Sequence, residues 1–170
     1  MRLMPQVGFV LLFAVAGLMM IGMSNNARPS GLDMARAYIE VMETGDLASA
    51  DKLFLDGDRS VILENASNEG SWENYRDHHL APEIEHADGF RFTLKEESES
   101  RFGSTIIVHQ VGSFSVKLGD ETREFRVAVS YVIVRDRGEN RIAHLHWTSR
   151  PAPAKKAEPK AGDGHEGHDH

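Results

Sequence analysis

Apolar residues change their spacing part-way along the chain. Up to about residue 80 they recur at intervals of three and four; from Phe90 onward they recur at two. Met34, Ala37, Tyr38, Val41 and Met42 predict a helix beginning near Ser30 and ending at Gly45-Asp46. Leu47, Ala50, Leu53 and Phe54 predict a second, shorter helix that stops at Gly57. Val61-Ile62-Leu63 reads as a short strand and Asn68-Glu69-Gly70 as a turn. Ser71 is placed to cap a helix over Trp72 to Leu80, which Pro82 ends or bends.

In the second half, Phe90, Phe92 and Leu94 alternate with polar residues. Ile106, Val108, Gln110, Gly112, Phe114 and Val116 share one face of a long strand, with Gly112 marking a bulge or bend. Phe125, Val127, Val129, Tyr131 and Ile133 alternate in the next strand. A turn over Asp136 to Asn140 leads into a last strand, Arg141 to Arg150. Strict alternation there sets Ile142, His144, His146 and Thr148 on one face and Ala143, Leu145 and Trp147 on the other. Helices followed by consecutive hairpins predict an α+β domain over residues 30–150, with helices on one face of an antiparallel sheet.

Two extensions flank this domain. Arg2 precedes an uncharged apolar run from Val7 to Met23, the pattern of a signal peptide or signal-anchor transmembrane helix over residues 1–26. Positive charge on the near side keeps the N-terminus cytoplasmic. The expectation is therefore an exported, periplasmic or extracellular domain, held to the membrane only through this helix if it is not cleaved. Residues 151–170 form a Pro/Ala/Lys linker and a His-rich tail with no means of building a core, and are expected to be disordered.

Composition narrows the function classes. The 170 residues carry a net charge of -7 and no cysteine. Nucleic-acid binding has no electrostatic footprint. Disulfides, thiolate metal sites and a cysteine nucleophile are excluded.

The candidate chemistry lies in two stretches. Trp72, Tyr75, Arg76, His79 and Glu83 fall on one stripe of the predicted helix, and the two imidazoles His144 and His146 stand side by side on the last strand. Facing each other across a pocket, they would bind a small anion or carboxylate with an apolar tail, with Arg150 either in the pocket or capping a strand end. A second reading makes His79, His144 and His146, with Glu83, ligands to zinc or copper, while His165, His168 and His170 of the tail hold a divalent metal loosely. A third makes a pocket histidine or carboxylate the general base of an isomerase or lyase.

The order of elements resembles the SnoaL-like branch of the nuclear-transport-factor-two and ketosteroid-isomerase superfamily over roughly residues 32 to 150. The most specific pieces are Gly45-Asp46-Leu47, Glu69-Gly70-Ser71-Trp72 through Tyr75-Arg76-Asp77-His78-His79, and His144-Leu145-His146-Trp147-Thr148-Ser149-Arg150. The last is also similar to the end of the calcium/calmodulin-dependent kinase association domain. The resemblance implies a cone-shaped barrel of strongly bent antiparallel sheet, helices on its concave face, a pocket between them, and a homodimer. It implies no single chemistry. In ketosteroid isomerases an aspartate is the base, and a tyrosine and a protonated acid hold the oxyanion. Tyr38, Tyr75 and Tyr131 are available here, but none falls on that motif.

Overall fold

A computed structural model of the protein describes residues 28–153. Helix α1, Gly31–Thr44, starts where the pattern places it. Ser30 accepts from the Asp33 backbone while the Asp33 side chain accepts from the Ser30 backbone, so two free donors are satisfied reciprocally. Gly45 closes the helix at φ 74°, a left-handed conformation that favours glycine. Helix α2 is one turn, Leu47–Ala50, shorter than the spacing predicted. Beyond it the chain straightens, because Leu53 and Leu55 bond on either side of Ile142 as a parallel bridge.

Strands β1 (Val61–Glu64) and β2 (Ser67–Gly70) follow, then the one-turn helix α3 (Trp72–Tyr75). A π-helical turn, Arg76–Leu80, leads into α4 (Ala81–His86). Pro82 does not end this helical stretch; it lies in the first turn of α4, where its missing N–H costs nothing. Four long strands complete the domain: β3 (Phe90–Phe102), β4 (Thr105–Leu118), β5 (Glu121–Asp136) and β6 (Glu139–Pro151).

The sheet runs β2-β1-β6-β5-β4-β3 and keeps two free edges, so it curls without closing. The pairs are antiparallel as expected except at one joint, which makes the sheet mixed: β1 lies parallel to β6, pairing Ile62 with Leu145 and Glu64 with Trp147. The expected turn at 68–70 is instead the edge strand β2, paired with β1. The chain reverses through Asn65 and Ala66, both at positive φ.

Helix α1 packs across β3 and β4, and the core lies between. Its centre is aromatic: Phe54 stacks on Trp72 at 4.3 Å, and Tyr38 meets Phe54, Trp72 and Tyr131 edge-on. From it a polar chain runs out to the surface, in which Tyr131 donates to Gln110, Gln110 to Glu97, and exposed Arg36 of α1 clamps Glu97. Gly112 stands opposite the bulge at Lys95, as its mid-strand position predicts. A Cβ there would lie 2.3 Å from the Thr93 carbonyl oxygen. Relief requires the backbone of β3 to move, so Gly112→Ala is expected to lower unfolding free energy by about 1–3 kcal/mol, as overpacked positions do. Urea denaturation checks this; an unchanged midpoint would mean that the bulge yields freely.

Among the described residues no helix is long and apolar enough to cross a membrane. The apolar segment 1–26 and the histidine-rich tail lie outside those residues.

Candidate functional site

The last strand does not keep strict alternation. Ile142 pairs with Ile133 and His144 with Val132, which leaves Ala143 as an extra residue. One extra residue reverses the facing of everything after it. Ile142, Leu145 and Trp147 therefore all point into the core, and His144 and His146 point outward. Their rings stand 6.5 Å apart on the uncovered face of the sheet, beside Val61 and Leu63 of β1. Burial and the neighbouring His146 hold the His144 pKa below its ordinary value.

This separates the residues that the sequence grouped. Trp72 is core; its indole N–H donates to Asp51 at 2.8 Å. Arg76 is held by Asp51 at 2.6 Å and in a two-pronged bond by Asp77, charges that raise its pKa further and leave it no part in the cavity lining. Arg150 is exposed on the outer face. His79 stays with Tyr75 on the helical side of the core, so His79, His144 and His146 do not converge and the pocket zinc or copper site is not formed. Among the described residues, no three histidine or acidic groups converge on a metal position.

What remains of the helical stripe, Tyr75, His79 and Glu83, meets a residue the sequence reading passed over. Glu64 ends β1 on the same face as Ile62, so when Ile62 enters the core, Glu64 enters too. That period-two rule was the available signal. The Tyr75 hydroxyl donates to Glu64 Oε2 at 2.7 Å. His79 lies with Nε2 3.3 Å from Glu83 and 3.6 Å from Glu64, and with Nδ1 3.3 Å from Glu69. Its ring also rests against Tyr75, at 5.1 Å between centroids. The Tyr38 hydroxyl is buried nearby without a hydrogen bond.

Glu64 lines a cavity of about 300 Å³. Phe90, Phe114, Val116, Phe125 and Trp147 of the sheet and Met42 of α1 make its apolar wall. Stacked Phe92, Phe114 and Phe125 back this wall, and Trp147 meets Phe114 at 5.7 Å. Tyr75, Glu83, His86, Asn65 and Ser149 supply the rest of the polar rim. Asn65 and Ser149 are tied together: the Asn65 side-chain oxygen Oδ1 accepts from the Ser149 backbone N–H at 2.8 Å. Besides the Tyr75 hydroxyl, the titratable groups lining the cavity are thus two carboxylates and the His86 imidazole, and the expected Arg76 guanidinium is not among them.

Burial pushes the Glu64 carboxyl above the usual carboxylate range. The Tyr75 hydrogen bond and the His79 charge pull it down, and Glu83 and Glu69 push it up. For His79, burial works against the imidazolium, but Glu64, Glu83 and Glu69 together hold its pKa above ordinary.

A model of the SnoaL-like domain matches residues 32–153. The chain belongs to the SnoaL-like domain family. None of the curated protein sequences matches it. Among solved structures it is similar to a nuclear-transport-factor-two-like superfamily protein from Salmonella enterica serovar Typhimurium, at 16% identity and TM-score 0.63, covering 78% of this chain and 93% of that one. A candidate ketosteroid isomerase from Shewanella frigidimarina is similar at 18% identity and TM-score 0.60, over 68% of this chain and 91% of that one. A candidate calcium/calmodulin-dependent protein kinase type II association domain from Thiobacillus denitrificans is similar at 17% and 0.58, over 74% and 98%. At these identities the likeness establishes the fold and leaves the chemistry to the site.

The SnoaL-like domain should betray its His79 cluster in pH-dependent stability. A histidine whose folded pKa is raised contributes stability fully below its unfolded value, 6.5, and loses it as pH climbs through the folded value. Urea unfolding at about pH 6 and about pH 8.5 should therefore show His79→Gln destabilised relative to wild type mainly at the lower pH. A deficit equal at both would show that His79 is not held charged.

Proposed function

We propose that this domain binds a small, largely apolar organic molecule in the cavity between sheet and helices, with a hydrogen-bond donor or cationic group of the ligand directed at Glu64. One observation carries this reading: the buried carboxylate of Glu64 lines a cavity whose wall is mainly aromatic and aliphatic. An apolar pocket with a few convergent polar groups is the usual form of a small-molecule site. The carboxylate rim favours neutral or positively charged ligands and disfavours acids by like-charge repulsion.

A second reading, isomerase or lyase chemistry, has its own support. A carboxylate whose pKa is raised by burial is suited to take a proton from carbon beside a carbonyl, and Glu64 is that group here. Tyr75, however, donates to Glu64 and is not offered to a carbonyl oxygen. Stabilising the developing oxyanion is usually the largest contribution to such a reaction. Binding is therefore the reading placed first.

Calorimetric titration with naphthol, naphthylmethylamine and naphthoate tests the proposal. The alcohol and the amine are expected to bind, the acid about tenfold more weakly or worse, and Glu64→Gln to abolish the preference. Tightest binding by naphthoate, or a preference unchanged in Glu64→Gln, would contradict the proposal.

A further inference from the structure

The uncovered face of the sheet carries an arrangement that the cavity does not use. Arg126 of β5 and Arg150 of β6 are direct cross-strand partners, and both are exposed. Facing residues on neighbouring strands bring their Cβ atoms to about 5 Å, and like charges so placed repel. Arg36, Arg59, Arg76, Arg101, Arg123 and Arg141 each pair with a carboxylate, while Arg91, Arg135 and Arg137 stand alone among the described residues; none of these has another arginine as its direct cross-strand partner. Among the described residues, neither Arg126 nor Arg150 has a carboxylate oxygen within 4 Å, although Glu124 lines the same groove.

The two arginines line a groove of about 640 Å³ with Lys95, Ser113 and Thr148. Lys95 is the extra residue of the β3 bulge, opposite the step between Val111 and Gly112. Ser113 is the direct β4 partner of Arg126. One transverse row thus reads Ser113, Arg126, Arg150, with the lysine at its flank. Two guanidinium forks, an ammonium and a hydroxyl offer more donors than one carboxylate can accept. A phosphoryl group, with three or more oxygens and up to two charges, accepts from both forks at once.

We propose that Arg126, Arg150 and Lys95 form a phosphoryl-binding site on the outer face of the sheet, separate from the Glu64 cavity. The bound anion relieves the repulsion between the two arginines, and Ser113 adds a neutral donor. A soluble phosphate and the headgroup of an anionic lipid present the same chemistry to this row.

The test uses the full chain, as wild type and as the Arg126→Gln/Arg150→Gln variant, with inorganic phosphate and with vesicles of phosphatidylcholine alone or mixed with phosphatidylglycerol. A soluble ligand predicts that phosphate raises the thermal midpoint of wild type, with apparent affinity reduced about tenfold or more in the variant. A lipid headgroup predicts no such rise, but co-sedimentation of wild type with the mixed vesicles that exceeds co-sedimentation with the neutral ones. That excess disappears in the variant. Wild type and variant responding alike in both arms would overturn the proposal. Circular dichroism of the variant verifies that it folds, and the single variants Arg126→Gln and Arg150→Gln replace it should it not.

Discussion

One extra residue, Ala143, sets the facing of the strand on which the site depends. Without it, the alternation that buries Ile142 would bury His144 and His146 and expose Leu145 and Trp147. Burying Leu and Trp is favourable by roughly 1.5–3 kcal/mol each, whereas burying imidazoles without partners costs free energy. The bulge satisfies both demands at once. Ile142 remains in the core and pairs with the chain at Leu53 and Leu55, while Leu145 and Trp147 enter the core beyond it. With Trp147 turned inward, its parallel partner Glu64 is turned inward as well.

The carboxylate of Glu64 is then the costly element of the fold, and its surroundings are arranged around that cost. Tyr75 gives it a hydrogen bond, and His79 brings a positive charge that is itself supported by Glu69 and Glu83. Structural reasons alone would favour an apolar residue at position 64, since replacing buried charged groups with apolar ones is often neutral or stabilising. A carboxylate buried beside an apolar cavity is the feature on which the proposed ligand site rests.

Much of the fold could be read directly from the residues. Helix α1, with Ser30 at one end and Gly45 at the other, the four long strands and the Gly112 irregularity follow from spacing and local chemistry. The site was legible only on its helical side, where Tyr75, His79 and Glu83 share a stripe. A bulge in β6 leaves little trace in the sequence, because Ala143 is small, only partly buried and compatible with either facing. The parallel joining of β1 to β6 brings together residues some eighty positions apart, and a four-residue strand carries no signal of its partner. Arg76 illustrates a further limit: its neighbours Asp51 and Asp77 claim it, and only the folded structure brings Asp51 within reach.

The ionisation of Glu64 is the property on which the cavity's chemistry turns. Titrating the carbon-13 side-chain carboxyl resonance of Glu64 by NMR measures it without any ligand. The expected pKa lies above the ordinary glutamate value of 4.5 and rises further in Tyr75→Phe, where a hydrogen bond to the charged form is lost. A value at or below 4.5 would mean that the Tyr75 hydrogen bond and the His79 charge outweigh burial, and would contradict a carboxyl held high by the cavity.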